Sequence, residues 1–215
     1  MTVQTANGSQ SVTPKAGLQK FWSDFSESKV AVGALAVFFL ILFIAIFAPL
    51  ISPFDPYDLA TVDIMDSRLA PGTQNFSGQV FWLGTDGAGR DMLSAIFYGL
   101  RISLGVGALS GLIALIIGAA IGLSAAYFGG RFETLAMRIV DIQLSFPSIL
   151  MALIILAIFG KGVEKTILAL VLVQWAYYAR AARASALVEK NKEYVEAAAC
   201  LALGDRKIIL NHIMP

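Results

Sequence analysis

The stretch "EYVEAAACLALGDRKIILNHIMP", Glu193 to Pro215, brings together most of the side-chain types that could do chemistry. It holds the only thiol of the chain, Cys200, and the only imidazole, His212. Catalysis needs a convergent set of such groups, each oriented by another. A single thiol and a single imidazole on a periodic stretch do not form such a set, and His212 is expected to cap or pack. The sequence therefore predicts no catalytic residue, no cofactor site and no metal site.

Asp141 is a second candidate, because it lies within a long apolar segment. A carboxylate at that depth is costly and would suit a proton- or ion-coupling site of a secondary transporter. Arg138, however, stands three residues away on the same helical face, near the end of the predicted span. We therefore expect a structural pair at the membrane interface, and ion coupling by Asp141 is the alternative.

Glycines mark a third stretch, "WLGTDGAGRDMLSAIFYGLRISL", which runs from Trp82 to Leu104. Gly84, Gly87 and Gly89 surround Thr85 and Asp86 just before a helical pattern begins. Glycine-rich turns in front of helices can hold phosphate groups. This one has no lysine and no G-K-[ST] ending, so a structural turn is expected instead.

The elements that must position these residues have the composition of a membrane protein. Hydrophobic residues make up 57% of the 215-residue chain, charged residues 14%, and the mean hydropathy is +0.73. A bilayer core about 30 Å thick is crossed by roughly 20 apolar helical residues. The net charge of +1 argues against nucleic acid as a partner, and a single cysteine allows no intrachain disulfide. The predicted fold class is all-α, a polytopic transmembrane helical bundle.

Four segments qualify as spans. The first, Val30 to Ile51, is uncharged and follows a mixed polar segment, residues 1–29. Its apolar run exceeds a signal-peptide core, no A-x-A-like site follows, and prolines end the helix. The second, third and fourth spans are predicted at 102–128, 135–159 and 166–186.

The distribution of Lys and Arg predicts the orientation. With the N-terminus in the cytoplasm, eleven Lys and Arg residues lie inside and five outside, as the positive-inside bias requires. The acidic segment 52–99 is then an extracytoplasmic loop, and the stretch from Glu193 onward is cytoplasmic. The outer set is Arg68, Arg90, Arg101, Lys161 and Lys165.

The second span contains two pairs of glycines, each pair spaced four residues apart. Small residues at this spacing let helices approach closely, which is a main route to association in lipid. The helix-packing residues predicted on this ground are Gly107, Gly111, Gly118 and Gly122.

The C-terminal stretch is amphipathic when drawn as a helix. The small side chains of Ala197 to Ala199 leave a flat surface against which another protein could pack closely. Gly204 permits a turn into a second amphipathic segment, Ile208 to Met214. On periodicity alone, a surface helix that merely returns to a further span is equally compatible.

These residues carry a resemblance. "EYVEAA" followed by "LALGDRKIILNHIMP" resembles the cytoplasmic EAA loop of ABC importer permeases. "LGTDGAGRDMLSAIFYGLRISL" and "YFGGRFETLAMRIVDIQLSFPSILMALII" are similar to segments of the oligopeptide, dipeptide and nickel subfamily. The resemblance covers about Lys20 to Pro215 and is to the second-type permease, which has a long outer loop after its first helix.

Two departures from the family pattern stand out. Ala202 occupies a position where the loop usually has glycine, and Gly204 follows two residues later, so the turn is expected to shift. The family fold has six spans, whereas four are predicted here. We therefore expect a permease truncated after the EAA loop.

The resemblance implies a transport subunit of the bacterial cytoplasmic (inner) membrane, with residues 100–215 as the start of its permease core. Such a subunit forms half of a pore with a second permease subunit, receives solute from an extracytoplasmic solute-binding protein, and is driven by ABC ATPase subunits that hydrolyse ATP. The EAA loop would fit a groove on an ATPase. The coupling residues implied are Glu193, Tyr194, Glu196, Ala197, Ala198, Gly204, Asp205 and Arg206.

Overall fold

The computed structural model describes residues 17–58, 62–75, 78–201 and 203–214. The chain divides into two compact units, Met1–Arg101 and Ile102–Pro215. The described residues are largely helical, with one small antiparallel strand pair.

The described part of the first unit starts with two helices. Helix α1 spans Gly17–Glu27, and α2 spans Lys29–Ile51, within one residue of the predicted first span. Ser28 separates the two helices and caps α2, because its Oγ accepts the N–H of Ala31 at 3.3 Å. Helix α2 is apolar on all sides and mostly exposed, as expected for a helix that faces lipid.

A compact loop fold follows α2. It contains a 3₁₀ turn, Ile64–Asp66, and the strands β1, Thr73–Gln74, and β2, Val80–Phe81. Thr85 joins its parts: the hydroxyl accepts the N–H of Leu69 at 2.8 Å and donates to the carbonyl of Asp66. This network gives the loop an internal polar core although it has few buried apolar residues.

The glycine-rich turn has a structural role in this loop. Gly84 and Gly89 adopt φ of 76° and 80°, a region that favours glycine. A Cβ at Gly89 would lie 2.9 Å from the carbonyl carbon of Asp63, so the backbone of the 3₁₀ turn approaches too closely for any side chain.

Asp86 holds the same turn together. Its carboxylate accepts N–H groups from Ala88 at 2.8 Å and Arg90 at 3.0 Å, and pairs with the Arg90 guanidinium at 2.7 Å. Burial acts to raise the pKa of Asp86, but the hydrogen bonds from Arg90 and Ala88 outweigh it, so this pKa lies below its ordinary value.

Helix α3, Met92–Phe128, starts inside the segment predicted as extracytoplasmic loop, ten residues before the expected start of the second span at Ile102. The reason is a polar cap. The Asp91 carboxylate accepts the N–H of Ser94 at 2.8 Å and its hydroxyl at 2.5 Å. The early turns of α3 therefore form before its apolar run begins.

The predicted third span is not one straight helix. Helix α4, Gly130–Ser145, and α5, Ser148–Phe159, are bent by 87° at the break between them. Pro147 causes the break, since proline lacks an N–H and disfavours the α conformation in the residue before it. Phe146 is accordingly extended, with φ −90° and ψ 140°.

The last long helix is α6, Val163–Lys190. Among the described helices, α2 and α3 are long and apolar enough to cross a membrane, and the bent pair α4–α5 supplies a third crossing if it is one span. Length and apolarity therefore do not confirm the prediction of four spans. Helix α6 is long, but Arg180, Arg183 and Glu189 make its second half polar.

The C-terminal segment, defined here as residues 193–214, forms two short helical pieces. Helix α7 spans Glu193–Cys200. Helix α8, Asp205–Ile208, continues into a π-helical turn, Ile209–Ile213, so the predicted second amphipathic segment is helical.

Candidate functional site

The C-terminal segment docks on the ends of α3 and α6 through an apolar cluster. Val195 and Ala198 of α7 are each only 4% exposed. They pack with residues of α3, α6 and the second helical piece of the segment. The buried members of this cluster are Ala126, Ala186, Val195, Ala198, Ile208 and Ile213. Because these residues come from every element at this end of the unit, the segment is part of the fold rather than a loose connector.

Polar contacts tie the same segment to the end of α3. The Tyr127 hydroxyl donates to Asp205 Oδ1 at 2.6 Å. Lys190, at the end of α6, donates to the carbonyl oxygens of Ala126 at 3.0 Å and Tyr127 at 2.7 Å. These carbonyls end α3 without intrahelical partners, and a cation there also complements the helix dipole. Helices α3, α6 and α8 are thus joined at one point.

A second polar group fixes the start of α7. Lys192 Nζ lies 2.8 Å from Glu189 Oε2, and the Tyr194 hydroxyl contacts Glu189 and lies 3.1 Å from the carbonyl oxygen of His212. Hydrogen bonds from Lys192 and then Tyr194 lower the pKa of Glu189, whereas the hydrogen bond to Glu189 raises the pKa of Tyr194. His212 Nδ1 is 3.3 Å from the carbonyl oxygen of Lys207, a packing position within the segment.

The opposite side of the C-terminal segment is exposed. Leu201 is 76% exposed, beside the exposed Ala197 and Cys200. Glu193 and Glu196 are exposed one helical turn before Ala197 and Cys200, and within the described residues they form no ion pair. A small apolar centre with a charged rim is the pattern of a protein interface.

Two cavities flank the segment. One of about 650 Å³ has a mixed lining, which includes the charged Lys190 and Glu196 and the apolar Val195. The other, about 560 Å³, is an apolar groove between α3 and the second helical piece, lined by residues such as Ile116 and Leu210. Within the described residues, no group of three His, Cys, Asp or Glu side chains could hold a metal ion.

The structure separates the predicted coupling residues into two sets. Glu193, Glu196, Ala197 and Arg206 are exposed. Tyr194 and Asp205 are also exposed but form hydrogen bonds with the chain itself, and Ala198 is buried in the apolar cluster. Gly204 adopts φ −64°, which does not require glycine, so the turn does not depend on this residue type. Ala202, the departure from the family pattern, lies outside the described residues.

The predicted packing glycines also fall into two sets. A Cβ at Gly118 would lie 2.6 Å from Tyr178 Cβ, and one at Gly122 would lie 3.0 Å from Ala182 Cβ. Helix α6 therefore lies directly against α3 at these positions. Gly107 has open space beside it, and Gly111 meets only the Tyr178 hydroxyl at 3.9 Å.

Asp141 does not pair with Arg138 as expected. Its carboxylate forms an ion pair with Arg180 of α6, because α4 packs against α6 and brings these side chains together. A second ion pair joins Glu133 of α4 to Arg183 of α6, whose Nε lies 2.7 Å from the carboxylate. Asp141 is thus half of a cross-helix pair, which does not favour an ion-coupling role.

Sequence reasoning missed Tyr127, Lys190 and Glu133 as parts of this end of the unit. Lys190 was counted only among the eleven inner positive charges, and Glu133 stood only within the stretch that resembles the permease subfamily. Their partners are 50 to 78 residues away in sequence, so no local spacing marks the contacts. The one available signal was the position of Tyr127 and Lys190 at predicted helix ends, where carbonyl groups need donors.

Comparison with known proteins identifies the family. Residues 114–215 match the model described as the binding-protein-dependent transport system inner membrane component, and residues 18–71 match that of the N-terminal transmembrane domain of oligopeptide transport permease C. The chain belongs to the family of binding-protein-dependent transport permeases, which confirms the resemblance.

Several relatives are peptide permeases. The chain is 38% identical to the di/tripeptide transport system permease protein DppC of Pseudomonas aeruginosa over 92% of the chain and 64% of the relative. It is 42% identical to the dipeptide transport system permease protein DppC of Escherichia coli K12, over 94% of the chain and 66% of the relative. For the Haemophilus influenzae DppC, identity is 33% over 94% and 68%. The chain thus spans about two thirds of the length of these relatives.

Proposed function

We propose that the chain is a permease subunit of an ABC importer for peptides or a related small solute, and that it forms half of a heterodimeric pore. The names of its relatives support this solute class, since they are permeases for dipeptides, di- and tripeptides, oligopeptides and glutathione. The remaining partners in this proposal are a second permease subunit, an extracytoplasmic solute-binding protein and ATPase subunits.

The observation that carries the coupling proposal is the two-sided C-terminal segment. Its inner side is packed into the fold, whereas its outer side presents Leu201 and Ala197 with a charged rim. The ATPase contact in this proposal is the outer side, with Glu193, Glu196 and Arg206 setting the register through polar contacts. Tyr194, Ala198 and Asp205 act differently: they hold the segment on the helices.

The contacts of the inner side suggest how movement would reach the membrane. Tyr127 and Lys190 connect the segment to α3 and α6, and the close approach at Gly118 and Gly122 holds these two helices together. A displacement of α8 would therefore move both helices together. In the proposed mechanism, ATP-driven closure of the ATPases moves this α3–α6 pair toward the outward-open arrangement of the pore.

The membrane arrangement in this proposal has four spans, with α6 as the fourth, and a cytoplasmic N-terminus. Arg180 and Arg183 are compatible with a membrane span. Both lie in the half of α6 that is cytoplasmic in this arrangement, and both form ion pairs with carboxylates of α4. The distribution of Lys and Arg supports the orientation. The open space at Gly107 is a place where a helix of the second permease subunit could pack.

Charge reversal on the outer side tests the coupling proposal. The chain, continued after Met214 with the remaining part of the Escherichia coli relative, is co-expressed with the other subunits of that dipeptide transport system. Glu196→Arg should reduce co-purification of ATPase subunits, because the partner surface would meet the opposite charge. Glu164→Arg, an exposed glutamate in the first turn of α6, is the matched control. Equal ATPase yield from both variants would contradict the proposed contact.

A further inference from the structure

Helix α1 has an aromatic face that the proposed transport function does not use. In "GLQKFWSDFSE", the apolar residues Leu18, Phe21, Trp22 and Phe25 recur at the spacing of one helical face. Polar and charged residues occupy the rest of the helix. The pattern is that of a short amphipathic helix with a face dominated by rings.

The described aromatic residues form one patch, and most of it is uncovered. Phe21 is 66% exposed and Trp22 59% exposed. Their ring centroids lie 6.1 Å and 5.9 Å from that of Phe25, so the three rings are contiguous. A contiguous exposed aromatic patch on a folded helix marks an interaction surface.

The position of α1 indicates what covers the patch. Helix α1 ends at Glu27, Ser28 is extended with φ −89° and ψ 101°, and α2 begins at Lys29. Helix α2 rises about 34 Å at 1.5 Å per residue. That length matches a hydrocarbon core of about 30 Å, which places Lys29 near the headgroups. Because only Ser28 connects the two helices, α1 must stay close to the headgroup depth of Lys29.

We propose that α1 lies in the membrane interface, with Phe21, Trp22 and Phe25 inserted among the lipid headgroups and upper acyl chains. Trp is enriched at this depth, and amphipathic helices bind there by their apolar face. Lys20 and Asp24 are exposed on the polar side, where they would meet water. The occupant is the lipid that already surrounds α2, and this inference holds in either orientation of the chain and independently of ATPase coupling.

Depth-dependent quenching of Trp22 tests the proposal on the chain itself. The chain is reconstituted in phosphatidylcholine–phosphatidylglycerol vesicles with Trp82→Phe and Trp175→Phe, which leave Trp22 as the single tryptophan. We expect lipid spin labels near the headgroup to quench Trp22 several-fold more than labels at the bilayer centre, and iodide on both sides to quench it weakly. The matched control retains only Trp82, which is 68% exposed in the loop and should show strong iodide quenching.

Three results would overturn the proposal. Iodide quenching of Trp22 equal to that of Trp82 would place α1 in water. Protection from both iodide and lipid labels would mean that protein, such as a second copy of the chain, covers the face. In the Trp22-only background, Phe21→Glu should raise iodide quenching several-fold while the chain stays resistant to alkaline extraction. Ser23→Glu, on the opposite side of the helix, should not raise it. Equal quenching in these two variants would also contradict insertion of the aromatic face.

Discussion

Adding one methyl group to α3 should have clearly different effects on stability at two of its glycines. In Gly118→Ala, the new Cβ would lie 2.6 Å from Tyr178 Cβ and 2.8 Å from the backbone nitrogen of Ala179. An ordinary contact needs at least 3.4 Å, so α6 must move by at least roughly 0.8 Å (3.4 minus 2.6). Backbone atoms are among the obstacles, so a rotamer change cannot relieve the clash.

The matched control is Gly107→Ala, whose Cβ meets nothing within 4 Å. Both variants gain the helix propensity of alanine, about 1 kcal/mol. Only Gly118→Ala also carries the overpacking cost of about 1–3 kcal/mol, so it should be less stable than Gly107→Ala by that amount. The difference is measured as the shift in the unfolding midpoint in mixed micelles, followed by Trp fluorescence. Equal midpoints would refute the close α3–α6 packing.

Three further predictions concern the C-terminal segment and the loop. Ala198→Asp places a charge in the apolar cluster and should release the C-terminal segment from α3 and α6 at a cost on the order of a few kcal/mol, which is measured as faster proteolysis. Ala197→Asp, at an exposed position, should leave proteolysis unchanged, and equal proteolysis of the two variants would contradict the docking of the segment. Tyr127→Phe should lower the amount of solute transported per ATP hydrolysed in the complete importer without loss of ATPase binding. Adding Asp205→Asn should lower this ratio little further, because both changes break the same hydrogen bond. A double variant whose ratio falls by the sum of the two single effects would refute the connection. The folded-state pKa of Asp86 lies below the unfolded value near 3.8, so its ionised form stabilises the loop at neutral pH and this contribution is lost as the pH falls through the folded-state pKa. Asp86→Asn should remove that part of the pH dependence of loop proteolysis, and an unchanged profile would count against it.

The sequence predicted single elements better than their contacts. The first span was predicted to within one residue, because an uncharged apolar run ends at prolines. Pro147 was visible too, but whether proline ends, kinks or sharply bends a helix depends on what its two halves pack against, and the 87° bend could not be read from the sequence. A helical pattern was indicated directly after the glycine-rich turn, but the second span was predicted only from residue 102, because hydropathy does not reveal the cap that Asp91 provides.

In the candidate site, too, the local helices could be predicted from the sequence, whereas the contacts between them could not. Periodicity predicted both amphipathic pieces of the C-terminal segment, but not the residues of α3 and α6 that they contact. In a continuous helix Val195, Ala198 and Leu201 would share one side; Val195 and Ala198 are buried as that pattern predicts, but Leu201 is exposed. The short helix ends near Cys200, so helical periodicity no longer determines the direction of Leu201. Contacts such as Tyr127–Asp205 join residues 78 apart, and sequence spacing carries no information about them.

Cross-linking from Cys200 tests the central claim most directly. This thiol is the only one in the chain, and it is exposed on the outer side of the C-terminal segment. A short photoactivatable cross-linker attached there, in the complete importer assembled with cysteine-free partners, should form adducts with an ATPase subunit. The same reagent at Lys161→Cys, between α5 and α6 in a Cys200→Ser background, is the control and should not. Adducts with an ATPase from Cys200 alone are the predicted result, and their absence from Cys200 while the assembled complex still transports would contradict the account.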